Sequence, residues 1–389
     1  MMMMKKTTRN QMMSKADKIV DYYDYLQQQS FYLMIDTFKK SNATLKAAED
    51  NPTRILDWRL ENLARIGALT DKVVSLLSAQ TGKTKRQIYQ IIEKDGIKVN
   101  KQMNRQLARS LHKPLKGVSR DTMRIIDSYA RQTFKKMDNH VNESLITRNT
   151  RSNAVAKTYR KILDKTVLNV TNGVKTPKRA LFDSIYQMRD QGLTVLTDKA
   201  GHDWSLEGYT RTVINTTTSR VFNDARMQSM KEYKSGLATM TSHPAARPAC
   251  AEIQGQVVCV IEQSDPDYDD SWDSYPNIYD YGYGDPGGCF GINCEHMLFP
   301  YIEGVSHDDQ EQYDPEEAED NMKIQQKQRY FERGVRRGKK NLELAQRAGD
   351  DEAIKRYQQS IRGYQGKIRK IVKDNDFLTR QYSREKVAN

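Results

Sequence analysis

The sequence predicts a mostly α-helical chain carrying one small α+β module, and three observations lead there. Apolar residues recur at helical spacing through most of the first 236 residues. Hydrophobic residues make up only 37% of the chain against 29% charged, with a mean hydropathy of −0.81, so much of its length must be solvated helix. At Leu237 the pattern changes to short β-branched or apolar runs bounded by turn residues. The 389 residues give room for two or three domains, each with its own core.

In chain order, residues 15–45 carry Ile19, Tyr22, Tyr23, Leu26, Phe31, Leu33, Met34 and Phe38 with no Gly or Pro, an amphipathic helix. Asn51 can cap the next helix and Pro52 suits its first position; Leu56, Leu60, Leu63, Ile66, Val73 and Leu77 supply its stripe, and Gly82 is expected to end it. Shorter helical patterns occupy 84–94 and 100–111. After Pro114 a longer one runs over 119–147, closing an N-terminal helical region at 1–150. Three more helices, divided by Gly and Pro, form a helical part at 151–236. "LATMTS", "GQVVCVI" and, more weakly, "MLFPYI" predict strands within a core at 237–304, with an Asp-, Tyr-, Gly- and Pro-rich surface loop between the second and third. An acidic linker and a basic helical hairpin split at "AGDD" fill 305–389, and the final dozen residues are expected to be mobile.

Charge is segmented. Glu262 to Asp320 holds 18 acidic residues and no Lys or Arg, whereas residues 321–389 carry 19 basic against 8 acidic ones. With +13 overall, residues 1–261 are left with +20. Two readings stand: acidic loops cover basic helices within or between chains, or exposed basic faces meet a polyanion or an acidic partner. No apolar run approaches the roughly 20 residues that cross a bilayer, and "MMMMKKTTRNQMM" lacks the apolar centre of a signal peptide, so synthesis in the cytosol is expected.

The chemistry-bearing residues concentrate in two blocks. Cys289, Cys294 and His296 form C-x4-C-x-H in a Gly-rich turn, and His243 and Cys250 arrive as H-x6-C from the other side of the acidic loop. Zinc takes about four soft ligands in a tetrahedron, so two short pairs joined by a long excursion would make a structural zinc staple. The other reading is a set of buried thiols with a satisfied histidine. Cys259, inside a strand pattern, reads as core. "QTGKTK" (80–85) has Leu77 where a phosphate loop needs its first glycine and follows a helix, so it is set aside. "DPDYDD" (265–270) lacks the spacing of a calcium loop. No Gly-x-Ser-x-Gly, His-Glu-x-x-His or dinucleotide motif offers a catalytic starting point.

These blocks carry a resemblance. "TSHPAARPACAEIQGQVV" and "YPNIYDYGYGDPGGCFGINCEHMLFPYIEG" resemble the core blocks of the minor capsid proteins of tailed phages of Gram-positive bacteria, related to MuF-type head-morphogenesis proteins. The matching positions are Ser242, His243, Arg247, Pro248, Cys250, Gln254 and Gly255, then Tyr283, Gly284, Cys289, Gly291, Asn293, Cys294, His296, Pro300 and Gly304. Glu295 stands where that family usually has Arg, and Ile253 where it often has Trp. The polar helix before the first block and the basic C-terminal hairpin match more weakly.

The resemblance implies a non-enzymatic, low-copy structural protein of the virion, made in the host cytoplasm and lying inside the capsid near the portal. It would assist head assembly, DNA packaging or delivery, with the portal protein and the major capsid protein or scaffold as partners. Genomic DNA would meet its basic helices. It also favours Cys250, Cys289, Cys294 and His296 over His243 as zinc ligands, while a metal-free module held by hydrogen bonds from His243 and Arg247 stays open. A metal-dependent nuclease or toxin-like enzyme acting on nucleic acid is the alternative function, and a basic helical DNA-binding protein unrelated to virions is a third.

Overall fold

The computed structural model describes residues 6–144, 154–190, 196–197, 203–204 and 206–387; the boundary expected near 150 lies outside the described residues. Helices α1 (Lys6–Lys40), α2 (Asn42–Asp50), α3 (Ile55–Ala64), α4 (Ile66–Tyr89), α5 (Gly96–Ser110), α6 (Arg120–Ser144), α7 (Ala154–Thr171) and α8 (Pro177–Asp190) come first. A two-residue antiparallel pair, β1 (Leu196–Thr197) and β2 (Asp203–Trp204), precedes α9 (Leu206–Glu232). Then come β3 (Leu237–Met240), α10 (Pro248–Ala251), β4 (Val257–Cys259), β5 (Leu298–Pro300), α11 (Pro315–Ala348) and α12 (Asp351–Lys373). The chain is thus mostly α with a small three-stranded antiparallel sheet, as its periodicities predict.

Local rules account for several helix ends. Asn51 caps a short 3-10 turn over Pro52–Arg54, its side chain accepting from Thr53 N at 3.2 Å. Asp314 caps α11 by accepting from Glu317 N at 2.9 Å, with Pro315 at the first helical position. Gly349, left-handed at φ 76°, ends α11, and Asp350 caps α12 by accepting from Ala353 N at 3.1 Å.

Two expectations are corrected. Gly82 does not end its helix: α4 passes through it, a π-helical turn spans Gln90–Asp95, and α5 continues, so three expected helices form one unbroken path. An internal glycine costs only about 1 kcal/mol, and buried Ile88, Ile91 and Ile92 on the path supply more than that. The break falls instead at Arg65, between α3 and α4, two residues before Gly67. The C-terminal residues, expected to be mobile, pack back on α11. Gln328 Nε2 donates to Thr379 O at 2.9 Å and Lys339 Nζ to Glu385 O at 2.8 Å. Buried Glu385 accepts two bonds from Arg380, at 2.7 and 2.8 Å.

The main core joins α1 to α4 and α6 to α9, with residues of α11 and α12 closing one side. Helix α9 runs through its middle, against α1, α5, α6 and β5. That position buries polar as well as apolar residues: Thr210, Thr218, Asn223, Arg226 and Ser229 are all inside. A second core lies under the sheet, where β3 is flanked by β4 and β5 and Ala238 faces both Val258 and Pro300. The acidic loop is more than a surface excursion. Ile278 is fully buried, and Tyr283 Oη donates to the half-buried Asp224 carboxylate, which also accepts from Tyr129 Oη at 2.5 Å. Burial raises the Asp224 pKa in spite of those two bonds.

Candidate metal centre

Both sequence blocks meet at one end of the sheet. After β3 the chain turns through His243, and Arg247 precedes α10, one helical turn that carries Cys250 into the second core. Gln254 follows, then Gly255 at φ 72°, where a Cβ would lie 2.7 Å from the Glu311 carbonyl; only glycine lets the acidic linker pass so close. The second block enters β5 through a tight turn with Phe290 and Asn293 both at positive φ. Arg247 braces that turn, donating to the carbonyl of Pro286 at 3.2 Å and to that of Ile292. A Cβ on Gly291 would sit 2.5 Å from the Pro286 carbonyl, so this position too requires glycine.

This geometry brings Cys250, Cys294 and His296 together, with their donor atoms within 4.8 Å of one another. The two Sγ atoms are 3.9 Å apart, and Cys294 Sγ lies 3.3 Å from His296 Nδ1. A disulfide needs about 2.05 Å between sulfurs, and all four cysteines are free. Hydrogen bonding to Cys250, and then to His296, holds the Cys294 thiol well below the usual thiol range against the opposing effect of burial. The Cys250 thiol is pushed up, first by that same bond and then by burial.

The surrounding residues orient these donors. Gln254 Oε1 accepts from His243 N at 2.8 Å and lies 3.0 Å from His296 Nε2. An amide oxygen can only accept, so His296 carries its proton on Nε2 and turns the Nδ1 lone pair toward the thiols. From α9, Asn223 Nδ2 donates to the His296 carbonyl at 3.2 Å, and its Oδ1 accepts from Leu298 N at 3.3 Å. Asn223 had no sequence signal beyond its place in a polar helix. Gln254 had one, its pairing with Gly255.

The remaining sequence candidates sit differently. The His243 ring packs on that of His296, centroids 4.5 Å apart, and its buried Nε2 has no hydrogen-bond partner. Burial first, then His296, lowers the His243 pKa to about 4, so the ring is neutral. Cys289 lies outside the three-donor set; its thiol donates to the Ile278 carbonyl at 3.1 Å, and burial pushes its pKa up to about 12. Cys259 belongs to a separate apolar cluster with Leu237 and Ile261. Glu295 points outward, and its carboxylate faces Arg384 at 3.7 Å.

Cys250, Cys294 and His296 are 0%, 7% and 3% exposed, which leaves a substrate phosphate no approach to them. Two thiols and an imidazole nitrogen within this reach are donors of the type that a zinc ion takes. Among the described residues, no helix is long and apolar enough to cross a membrane.

The fold is thus a long helical body with a small module centred on buried Cys and His residues. The chain belongs to the phage minor capsid protein 2 family, whose model matches residues 8–373. It is 48% identical to a "Structural protein" of Lactococcus phage LL-H over 369 residues, 94% of this chain and 97% of that protein. Over 115 residues, 30% of this chain and 94% of the other, it is 56% identical to a "Structural protein" of Lactococcus phage mv4. No solved structure matches. This chain is accordingly a minor capsid, structural protein of a phage virion.

Proposed function

We propose that this minor capsid protein is a low-copy component of the capsid interior close to the portal, where it assists head assembly, DNA packaging or delivery. Its partners in this reading are the portal protein, the major capsid protein or scaffold, and genomic DNA. The observation that supports the DNA contact is the outer face of α12. Lys355, Arg356, Arg362, Lys367, Arg369, Lys370 and Lys373 are all exposed there, and no Asp or Glu occurs between Ala353 and Lys373.

The acidic block does reach basic residues elsewhere, at Asp265 with Lys231 and Glu295 with Arg384. Among the described residues none of the seven α12 cations is ion-paired, so the strip remains free to neutralise phosphates.

Duplex DNA binding measured against salt tests the contact. Each phosphate neutralised contributes a slope of about −0.9 in log K against log salt. Lys355→Glu, Arg362→Glu and Lys373→Glu together should make that slope shallower and weaken binding on every DNA sequence alike. Binding unchanged by the triple variant would remove α12 from the contact. Quantitative mass spectrometry of purified particles, with cross-linking to the portal, tests location: recovery at major-capsid stoichiometry and without portal cross-links would overturn it.

A further inference from the structure

We propose that Cys250, Cys294, His296 and His243 together hold one tetrahedral Zn²⁺ that closes the split module, and that Cys289 is not a ligand.

Two of the spacings among these donors are already tetrahedral. With zinc–sulfur bonds of about 2.3 Å, two thiolates on one tetrahedron stand about 3.8 Å apart, and a thiolate and an imidazole nitrogen about 3.6 Å. The distances here are 3.9 Å for the sulfurs and 3.3 Å for Cys294 Sγ to His296 Nδ1. These two spacings need only small adjustment, and the backbone around them is pinned by Arg247, Gln254 and Asn223.

The fourth ligand follows from which buried groups are already satisfied. The Cys289 thiol has an acceptor in the Ile278 carbonyl and lies outside the three-donor set. His243 Nε2 is buried with no partner, a condition that costs stability unless something fills it. The other nitrogen of His243 is hydrogen-bonded to the Glu295 backbone, as His296 Nε2 is to Gln254. Each imidazole thus has one nitrogen fixed from behind and the other free, the arrangement that prepares a histidine to ligate. His243 Nε2 is not within the 4.8 Å set, so the ring must swing toward the thiols as the ion enters. Both thiols would bind as thiolates, their protons passing to solvent. Zn²⁺ with two thiolates and two neutral imidazoles has no net charge, which suits a buried centre.

The test uses the full chain, purified from zinc-supplemented medium and, separately, reconstituted with Co²⁺. The expected result is one zinc per chain, and in the cobalt form tetrahedral ligand-field absorption with a thiolate charge-transfer band. Cys289→Ser should keep both the metal and the spectrum. His243→Ala should weaken zinc at least tenfold in chelator competition and alter the cobalt spectrum; Cys294→Ser should lose the charge-transfer intensity. If Cys294→Ser does not fold, chelation of the wild-type chain serves in its place, and zinc removal should lower its melting temperature. Absence of zinc after reconstitution overturns the site. A cobalt spectrum preserved in His243→Ala and lost in Cys289→Ser overturns the ligand set. DNA binding by α12 enters none of these readouts, so this proposal and the DNA reading fail separately.

Discussion

Lys340 shows how far a single residue can depart from the reading its neighbours invite. "RRGKK" looks like solvated basic surface, yet Lys340 is buried and its Nζ donates to both Asp24 of α1 and Glu207 of α9. Removing one partner of a buried ion network costs about 3–5 kcal/mol, because the opposite charges are left uncompensated. Lys340→Ala is expected to lose that much in urea unfolding, and adding Asp24→Asn should recover part of it, since Glu207 keeps Arg336 and Arg211. The pH dependence follows from Glu207. Burial alone would raise its pKa, but Lys340, Arg336 and Arg211 hold it far below the ordinary 4.5. A depressed folded-state pKa gives stability that is present above the unfolded value and drains away as pH falls below it. The wild-type unfolding midpoint should therefore fall more steeply below about pH 4.5 than that of Lys340→Ala; parallel profiles would remove Glu207 as a source of acid sensitivity. Cys294 and His296 were legible in advance because their spacing is local, and Cys250, 44 residues away, was brought to them by the resemblance of its own block. Lys340, Asn223 and the free Nε2 of His243 were not, because each is defined by residues distant in the sequence.

At the level of elements, helix identity was well marked and helix contact was not. The hairpin break at "AGDD" was visible because an αL glycine and an Asp cap are local signals. How α11 meets α12 depends on Gly334 and Gly338, one helical turn apart. A Cβ on Gly334 would lie 2.7 Å from the Tyr364 ring, and one on Gly338 2.8 Å from Ile361 Cγ1. In the sequence, both glycines are hidden among charges in "ERGVRRGKK". The two helices therefore give opposite answers to one substitution. In an open helical position Gly→Ala stabilises by about 0.4–1 kcal/mol, and Gly363 of α12 has nothing within 4 Å of an added Cβ. Gly363→Ala should accordingly raise the melting temperature. Gly338→Ala gains the same propensity but pays about 1–3 kcal/mol in overpacking, so it should lower the melting temperature. Equal shifts for the two variants would show that the hairpin does not depend on close approach. Gly82 belongs here too: glycine was read as a stop where it is a tolerated interior residue, since tertiary burial outweighs propensity.

Across the whole molecule, what the sequence could not convey is how its parts close on one another. The C-terminal segment is the clearest case, for its polar composition suggested a loose end. It instead caps the hairpin: Leu378 and Glu385 are buried, and Gln328, Arg336 and Lys339 donate to the carbonyls of Thr379, Arg384 and Glu385. Through Arg384 it also reaches Glu295, in the turn that carries Cys294 and His296. Burial, together with nearby Arg329, lowers the Arg384 pKa to about 10, and Glu332 and Glu295 offset part of that. A chain ending at Asp374 loses one buried leucine, worth about 1.5–3 kcal/mol, and three hydrogen bonds, worth about 0.5–1.5 kcal/mol each. The Arg384–Glu295 pair is partly exposed and adds little by itself. The truncated chain should therefore be less stable by about 3–7.5 kcal/mol, with faster amide exchange along α11 between residues 328 and 340. Because the ion pair from the tail to the Cys/His module is, among the described residues, that weak one, exchange near Cys294 and His296 should change much less. Faster exchange there than in α11 would make the tail a brace of the module first and of the hairpin second, and an unchanged melting temperature would remove it from the folded core.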